Sequence, residues 1–344
     1  MVRPLTLFSV AVSAEHSPPQ PAAAPAVAVV EDVWGEPLDQ LAAEMPVLAE
    51  PSAWEDPGTL QRAAHHARAL IVRNRTQVTR QLLEACPRLE VVGRAGVGLD
   101  NVDLGAADDL GVVVVAPAGA NATSVAEHAL ALALGLARDL AGHDRRVRDG
   151  RWERRLGREL AGGCWGVIGL GATGTATAAL AAALGMEVVG YDPFLEPGAD
   201  RPRVRRVHEL DELLERSDVV SLHLALSPDT AGLIDRAALA RMRPGSYLVN
   251  VARGGLVDEA ALLQALRDGP LAGAALDVRE SEPPVPGDLE AERRLLLTPH
   301  VAGLTHQAQQ RVVSVVTDDV RRVLAGEDAR NAAGAHRRAV RNPA

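Results

Sequence analysis

The chain of 344 residues is long enough for two domains, and its 47% hydrophobic and 24% charged content is that of an ordinary folded protein. A net charge of −9 and an aromatic content of 2% argue against nucleic-acid binding, which needs a basic face and stacking platforms. Every basic side chain other than histidine is arginine, and the absence of lysine excludes a Schiff-base nucleophile, ordinary pyridoxal-phosphate chemistry and a Gly-Lys phosphate loop.

Residues 1–25 open with Arg3 and a short apolar run over 5–14 that is a poor likeness of a signal peptide, so a disordered leader is the expectation. From residue 26, apolar β-rich runs alternate with helical patterns. Strands are expected over 26–30, 69–72, 90–93 and 112–116, with helices over 38–44, 60–67, 79–85 and 101–110. That alternation is one α/β unit with a parallel sheet. One long helix is expected over 123–148; its apolar part, 125–140, carries Glu127, His128, Arg138 and Asp139 and is too short and charged to span a bilayer. A second series of strands follows over 165–168, 187–191, 218–222, 247–251, 274–278 and 295–298. The last helix, 305–324, has no sheet of its own to cover and is expected to return to the first unit. Residues 26–119 and 304–327 would then form one discontinuous domain and 120–303 a second, with 328–344 disordered. Cys86 and Cys164 offer no metal-ligand spacing and fit a reduced, cytoplasmic protein.

The run Gly166-Val-Ile-Gly169-Leu-Gly171-Ala172-Thr173-Gly174 is followed, eighteen residues beyond Gly174, by Asp192 at the end of an apolar strand. Strand, glycine turn, Ala-rich helix, second strand and carboxylate make the layout of a dinucleotide-binding βαβ unit. Gly169 permits the tight turn, Gly171 lets backbone approach a pyrophosphate at the helix N-terminus, and Gly174 lets the helix pack on the strand. Asp192 would accept hydrogen bonds from an adenosine ribose and repel a 2′-phosphate, which favours NAD over NADP.

Three further residues follow strands of this second series. Arg253 stands where open α/β sheets place their ligands, and its guanidinium suits a substrate carboxylate or carbonyl; a surface arginine in a glycine-rich turn reads the same way from the segment alone. Glu282 lies in Glu280-Ser-Glu-Pro-Pro284, which is also compatible with a solvated acidic loop. His300 follows Thr298-Pro299, and a lone histidine is more often structural. Their common position at strand exits of one sheet is what joins them.

The blocks Val91 to Asp103, Asn121 to Glu127, Arg148 to Arg154, the glycine turn, Leu248 to Gly255, Leu276-Asp-Val278 with Glu282-Pro283, and Thr298 to Gly303 resemble, in order and spacing, the D-isomer-specific 2-hydroxyacid dehydrogenases. The likeness runs from about 69 to 326 and is closest to the phosphoglycerate dehydrogenase branch. It implies two doubly wound parallel-sheet α/β domains, a Rossmann NAD-binding domain inserted in a flavodoxin-like substrate domain, with the long helix at a homodimer contact. It implies Arg253, Glu282 and His300 as the catalytic set: hydride addition to a ketone builds charge on oxygen, a histidinium supplies the proton, and a carboxylate bonded to the ring favours the charged form. It also implies cofactor contacts at Ala172, Thr173, Leu224, Val251, Ala252, Asp277 and Gly303, a substrate-carboxylate cradle at the backbone of Val97 and Gly98, and substrate contacts at Arg73 and Arg94. Surface salt bridges remain the alternative for these two arginines.

The chain departs from the branch at Ala172-Thr173, where an Arg-Ile pair is usual, and at His223-Leu-Ala225-Leu, where Pro is usual in place of Ala225. It ends without the regulatory domain of longer members, so serine feedback through such a domain is not expected. The resulting expectation is an NAD-dependent enzyme acting on a small anionic D-2-hydroxy acid or its keto acid, with 3-phosphoglycerate foremost. Hydroxypyruvate, glyoxylate or a phosphonate analogue are alternative keto acids. An NADH-sensing, non-catalytic regulator is the alternative of another class.

Overall fold

The computed structural model describes residues 25–196, 198–199 and 201–340; the expected leader therefore lies outside the described residues apart from Pro25, as do 341–344. Two parallel sheets organise the molecule. The first has five strands, β1 (Val27–Val29), β2 (Val47–Ala49), β3 (Ala69–Val72), β4 (Val91–Arg94) and β5 (Val113–Val115), in the order β2-β1-β3-β4-β5. The second has seven, β6 (Cys164–Ile168), β7 (Glu187–Tyr191), β8 (Arg205–Arg206), β9 (Val219–Leu222), β10 (Tyr247–Asn250), β11 (Gly273–Leu276) and β12 (Leu295–Leu297), in the order β12-β11-β10-β9-β6-β7-β8. These are the flavodoxin-like and Rossmann strand orders.

Both sheets are covered on both faces, which is why their central strands are continuous apolar runs. With a side-chain period of two, Ala28, Leu70, Val72, Val92 and Val114 enter one core of the first sheet. Val27, Val29, Ile71, Val91, Val113 and Val115 enter the other, where they meet Val312, Val313, Val316, Val320 and Val323. Those valines form one face of the helix His306–Leu324, which returns to cover β4 and β5. In the second sheet Trp165, Val167, Val188, Val249 and Ala275 face the helices Ala122–Ala137 and Ala172–Ala183, while Ile168, Val220, Leu222, Leu248 and Leu276 face the opposite core.

Two readings of the sequence are corrected. The single helix expected over 123–148 is two, Ala122–Ala137 and Leu140–Arg148, because Asp139 adopts a left-handed conformation (φ 45°). Its carboxylate receives Arg146, from the last turn of the new helix, at 2.6 Å, an ion pair that compensates the break. Residues 328–340 of the tail read as disordered are instead ordered against the first sheet. Ala116 N donates to Asn331 O at 3.1 Å, Ala333 N donates to Val114 O at 2.8 Å, and the buried Asp319 carboxylate accepts the N–H groups of Arg330 and Asn331 at 2.8 Å each. Strands β2 and β8 add to the expected elements: each is a short, partly exposed sheet edge, β2 of three apolar residues and β8 of two arginines.

Candidate active site

The glycine turn links β6 to the helix Ala172–Ala183 at the point where strand order reverses, between β6 and β9. Gly169 has φ 93°, and a Cβ there would lie 2.8–2.9 Å from the backbone of His223 and Leu224, beyond β9. A Cβ on Gly174 would overlap the Gly169 carbonyl oxygen, whereas one on Gly171 would meet nothing. The turn is thus closed on the sheet side and open above Gly171, Ala172 and Thr173, where the N–H groups of the first helical turn lack intrahelical acceptors. Asp192 stands just beyond β7, its carboxylate accepting Leu170 N at 2.8 Å and Phe194 N at 2.9 Å. This fixes it beside the turn while leaving lone pairs for further donors. The residues therefore fit a dinucleotide, with its pyrophosphate over the turn and its ribose at Asp192. Leu224, Val251 and Ala252 are nearly buried at the exits of β9 and β10.

Next along the sheet, the exits of β10, β11 and β12 carry the three residues singled out in the sequence. The turn bearing Arg253 is buttressed by fully buried Asn250, whose side-chain amide donates to Arg253 O at 2.9 Å and whose side-chain oxygen accepts Ala252 N at 3.1 Å. The loop bearing Glu282 is held by Arg279, which pairs with both oxygens of Glu259 at 2.9 and 3.0 Å and with Glu290. Glu282 itself accepts Arg279 N at 3.1 Å through one oxygen and faces His300 Nδ1 at 2.7 Å through the other. Burial pushes the Glu282 carboxyl up, but the hydrogen bonds from His300 and Arg279 outweigh it and hold the group below its ordinary value. Nδ1 is so engaged, Nε2 has no hydrogen bond among the described residues, and 42% of the His300 side chain is exposed.

His300 is one of three non-glycine residues in the left-handed region among the described residues (φ 55°), a conformation that costs a β-carbon residue about 1–2 kcal/mol. Asp277, just after β11, holds it there. The Asp277 carbonyl accepts His300 N at 2.7 Å; its carboxylate accepts Val301 N and Ala302 N at 2.9 Å each and the Thr298 hydroxyl at 2.5 Å. His128, on the helix Ala122–Ala137, closes the cluster at 3.1 Å from the Thr298 hydroxyl and 3.4 Å from Asp277. Burial raises the Asp277 carboxyl, and the bonds from His128, Thr298 and the two N–H groups bring it below its usual value. The cofactor residue read at Asp277 is thus also the clamp of the histidine turn. Gly303 lies where a Cβ would be 2.6 Å from Asn121 Nδ2, so the two chain segments joining the domains pack together there.

The facing wall comes from the first domain. Arg94, at the end of β4, has a guanidinium Nε that is buried without a hydrogen-bond partner. Burial, with the Arg253 charge behind it, pulls this guanidinium down to about 10, so it stays cationic at neutral pH. Glu31 accepts the N–H groups of Arg73, Asn74, Arg75 and Thr76 at 2.7–3.1 Å, shaping the loop that carries Arg73, and Arg73 Nη1 donates to Asp32 O at 3.3 Å. Val97 and Gly98 are half-exposed on the loop after β4, and a Cβ on Gly98 would overlap Arg253 Nη2. The structure therefore brings together Glu282 with His300, and Arg253 with Gly98 and Arg94. No hydrogen bond joins Arg253 to the His300–Glu282 pair among the described residues. Sequence reasoning missed Asn250, Arg279 and His128: the last two act through partners distant in the chain, Glu259 and Thr298, while Asn250 braces the turn two and three residues after it.

A glycine turn at a Rossmann switch point, with arginine and a His–Glu pair on neighbouring strand exits, defines a dinucleotide-binding protein of two α/β domains. The family model described as D-isomer specific 2-hydroxyacid dehydrogenase, NAD binding domain, matches residues 130–302. The chain is 44% identical over 284 residues to the D-3-phosphoglycerate dehydrogenase of Mycobacterium tuberculosis, covering 81% of this chain and 54% of that protein, so it spans about half that relative's length. It is also 44% identical over 275 residues to the (S)-sulfolactate dehydrogenase of Chromohalobacter salexigens, covering 78% of this chain and 89% of that one. The crystal structure of the TT0316 protein from Thermus thermophilus superposes with a TM-score of 0.84 at 34% identity, covering 89% of this chain and 99% of that chain. The chain belongs to the D-isomer-specific 2-hydroxyacid dehydrogenase family.

Proposed function

We propose that the protein interconverts a small anionic D-2-hydroxy acid and its 2-keto acid with NAD(H). The observation that carries this reading is the 2.7 Å contact between His300 Nδ1 and Glu282, at the strand exits beside the glycine turn, with no hydrogen bond to Nε2 among the described residues. Bound NADH supplies the hydride. Arg253 orients the acid's carboxylate and keto oxygen, His300 donates the proton that the new alkoxide requires, and Glu282 keeps the ring aligned and charged until it does. The backbone of Val97 and Gly98 takes the carboxylate from the other side. Asp192 favours NAD over NADP.

Arg94 supports a substrate with a second anionic group, because its buried, unpartnered Nε and its proximity to Arg253 leave the pocket with positive charge to compensate. 3-Phosphoglycerate is the first choice, and sulfolactate presents a sulfonate at the same carbon. Other keto acids, such as hydroxypyruvate and glyoxylate, lack that group. The test is NADH oxidation with a panel of 3-phosphohydroxypyruvate, sulfopyruvate, hydroxypyruvate and glyoxylate. The reading expects the two C3 acids with a second anionic group to have the highest kcat/KM, and turnover of none of the four would overturn it.

The active form is proposed to be a cytoplasmic homodimer. The segment after the helix Leu140–Arg148 exposes Trp152 (81%) and Leu156 (104%), and Val147 is exposed beside them. An apolar cluster of this kind marks an association surface.

A further inference from the structure

Asp100, on the loop after β4, reaches across the cleft between the two domains to Arg253, 153 residues further along the chain. A single carboxylate oxygen, Oδ2, accepts a hydrogen bond from Arg253 Nε at 2.9 Å and lies in ion-pair contact with Nη2 at 2.8 Å. Arg253 Nη1 donates to its own neighbour's carbonyl, Ala252 O, at 2.7 Å. A guanidinium has five N–H groups arranged as a side-on fork (Nε with Nη2), an end-on fork (Nη1 with Nη2) and one inner N–H on Nη1. Asp100 sits at the Nε–Nη2 edge and Ala252 O accepts one of the two Nη1 hydrogens, so one N–H on Nη1 and one on Nη2 remain for a ligand.

A second observation agrees. The loop 96–100 packs closely on this guanidinium: a Cβ on Gly98 would displace Arg253 Nη2 from the position it holds here. Asp100 also contributes negative charge to both Arg94 and Arg253, two cations that otherwise repel one another. Arg253 alone has several rotatable bonds, and only a second anchor holds its remaining N–H groups in one direction.

We propose that Asp100 is the positioning residue of Arg253: it fixes the guanidinium from the opposite domain so that the remaining N–H groups of Nη1 and Nη2 face the substrate's carboxylate and keto oxygen. It touches no substrate atom and acts through Arg253. The two anchors lie on different domains, so these N–H groups are correctly aimed only when the domains have the mutual placement seen here. This inference rests on the reading of Arg253 as the substrate-anion ligand.

The experiment uses the full chain with NADH present. Oxalate, a planar dicarboxylate that NADH cannot reduce, is titrated calorimetrically into the parent, Asp100→Ala, Asp100→Asn and Asp100→Glu, and kcat and KM are measured with the best keto acid of the panel. The Asp100 side chain is 51% exposed, so unfolding midpoints are expected to match the parent. Asp100→Ala is expected to weaken oxalate by roughly tenfold or more, the weight of a charge-assisted hydrogen bond, and to lower kcat by about 10², the usual result of misaimed substrate. Asp100→Asn, which keeps an acceptor without the charge, falls between, Asp100→Glu recovers part of both, and the KM for NADH is unchanged in all three. Equal or tighter oxalate binding by Asp100→Ala, with parental or higher kcat, overturns the proposal and makes Asp100 a competitor of the substrate instead. A parent that binds oxalate but reduces no keto acid refutes the dehydrogenase reading while the oxalate series still judges Asp100. A parent that binds no oxalate overturns the proposal together with the role of Arg253.

Discussion

Replacing Asp277 by Asn tests whether the catalytic histidine is held by its backbone. The substitution keeps volume and one acceptor oxygen but places an NH2 group against either the Ala302 N–H on one side or the Val301 N–H and Thr298 hydroxyl on the other. Asp277 is 1% exposed, so water cannot rescue a donor that faces a donor. One charge-assisted bond is lost and one buried N–H is left unmet, together about 2–5 kcal/mol. The turn at His300, already in a left-handed conformation, then has less to hold it. Urea denaturation at neutral pH is expected to show a loss of this size. The kcat for keto-acid reduction is expected to fall by about 10² because Nε2 is no longer fixed. The pH dependence has a definite sign. The folded Asp277 carboxyl lies below its ordinary value, so its contribution to stability is present above the unfolded value, about 3.9, and is lost as pH falls through the folded one. The difference in stability between parent and Asp277→Asn should therefore shrink in acid. Parental stability and parental kcat in Asp277→Asn would refute this reasoning.

Three other outcomes are expected. Asp192→Ala should relax the preference for NADH over NADPH by removing repulsion, read as the ratio of kcat/KM values; a parent that uses NADPH equally well would refute the role of Asp192. Glu282→Gln should lower kcat for reduction, since the amide replaces the carboxylate that holds His300 Nδ1 at 2.7 Å, and a parental kcat would show that the pair is not coupled in catalysis. Light scattering should give a dimer at micromolar concentration and a larger monomer fraction for Trp152→Ala with Leu156→Ser, whereas a monomeric parent would exclude the dimer.

Much of this molecule was legible in its sequence because parallel strands buried on both faces are unbroken apolar runs, and because ligand-binding residues follow such strands. The spacing of Gly169, Gly171, Gly174 and Asp192 carries its own mechanism, and the blocks around Arg253, Glu282 and His300 locate strand exits directly. What escaped is held by single polar contacts between distant residues. The break at Asp139 has no glycine or proline to announce it; an ion pair with Arg146 stabilises a backbone conformation that local preference disfavours. The ordered tail reads as loop because it contributes few apolar side chains, yet the Asp319 carboxylate and pairing with β5 fix it through its backbone. Asp100 stood inside a block quoted for its resemblance, but its partner Arg253 is visible only once both domains are folded.

The central claim is that His300 is the acid of a keto-acid reduction, and single-turnover oxidation of bound NADH by the best acid of the panel tests it most directly. Measured across about pH 6 to 9, His300→Ala should be slower than the parent by about 10²–10⁴ while NADH affinity, read by fluorescence titration, changes little. A parental single-turnover rate in His300→Ala over that range would contradict the account.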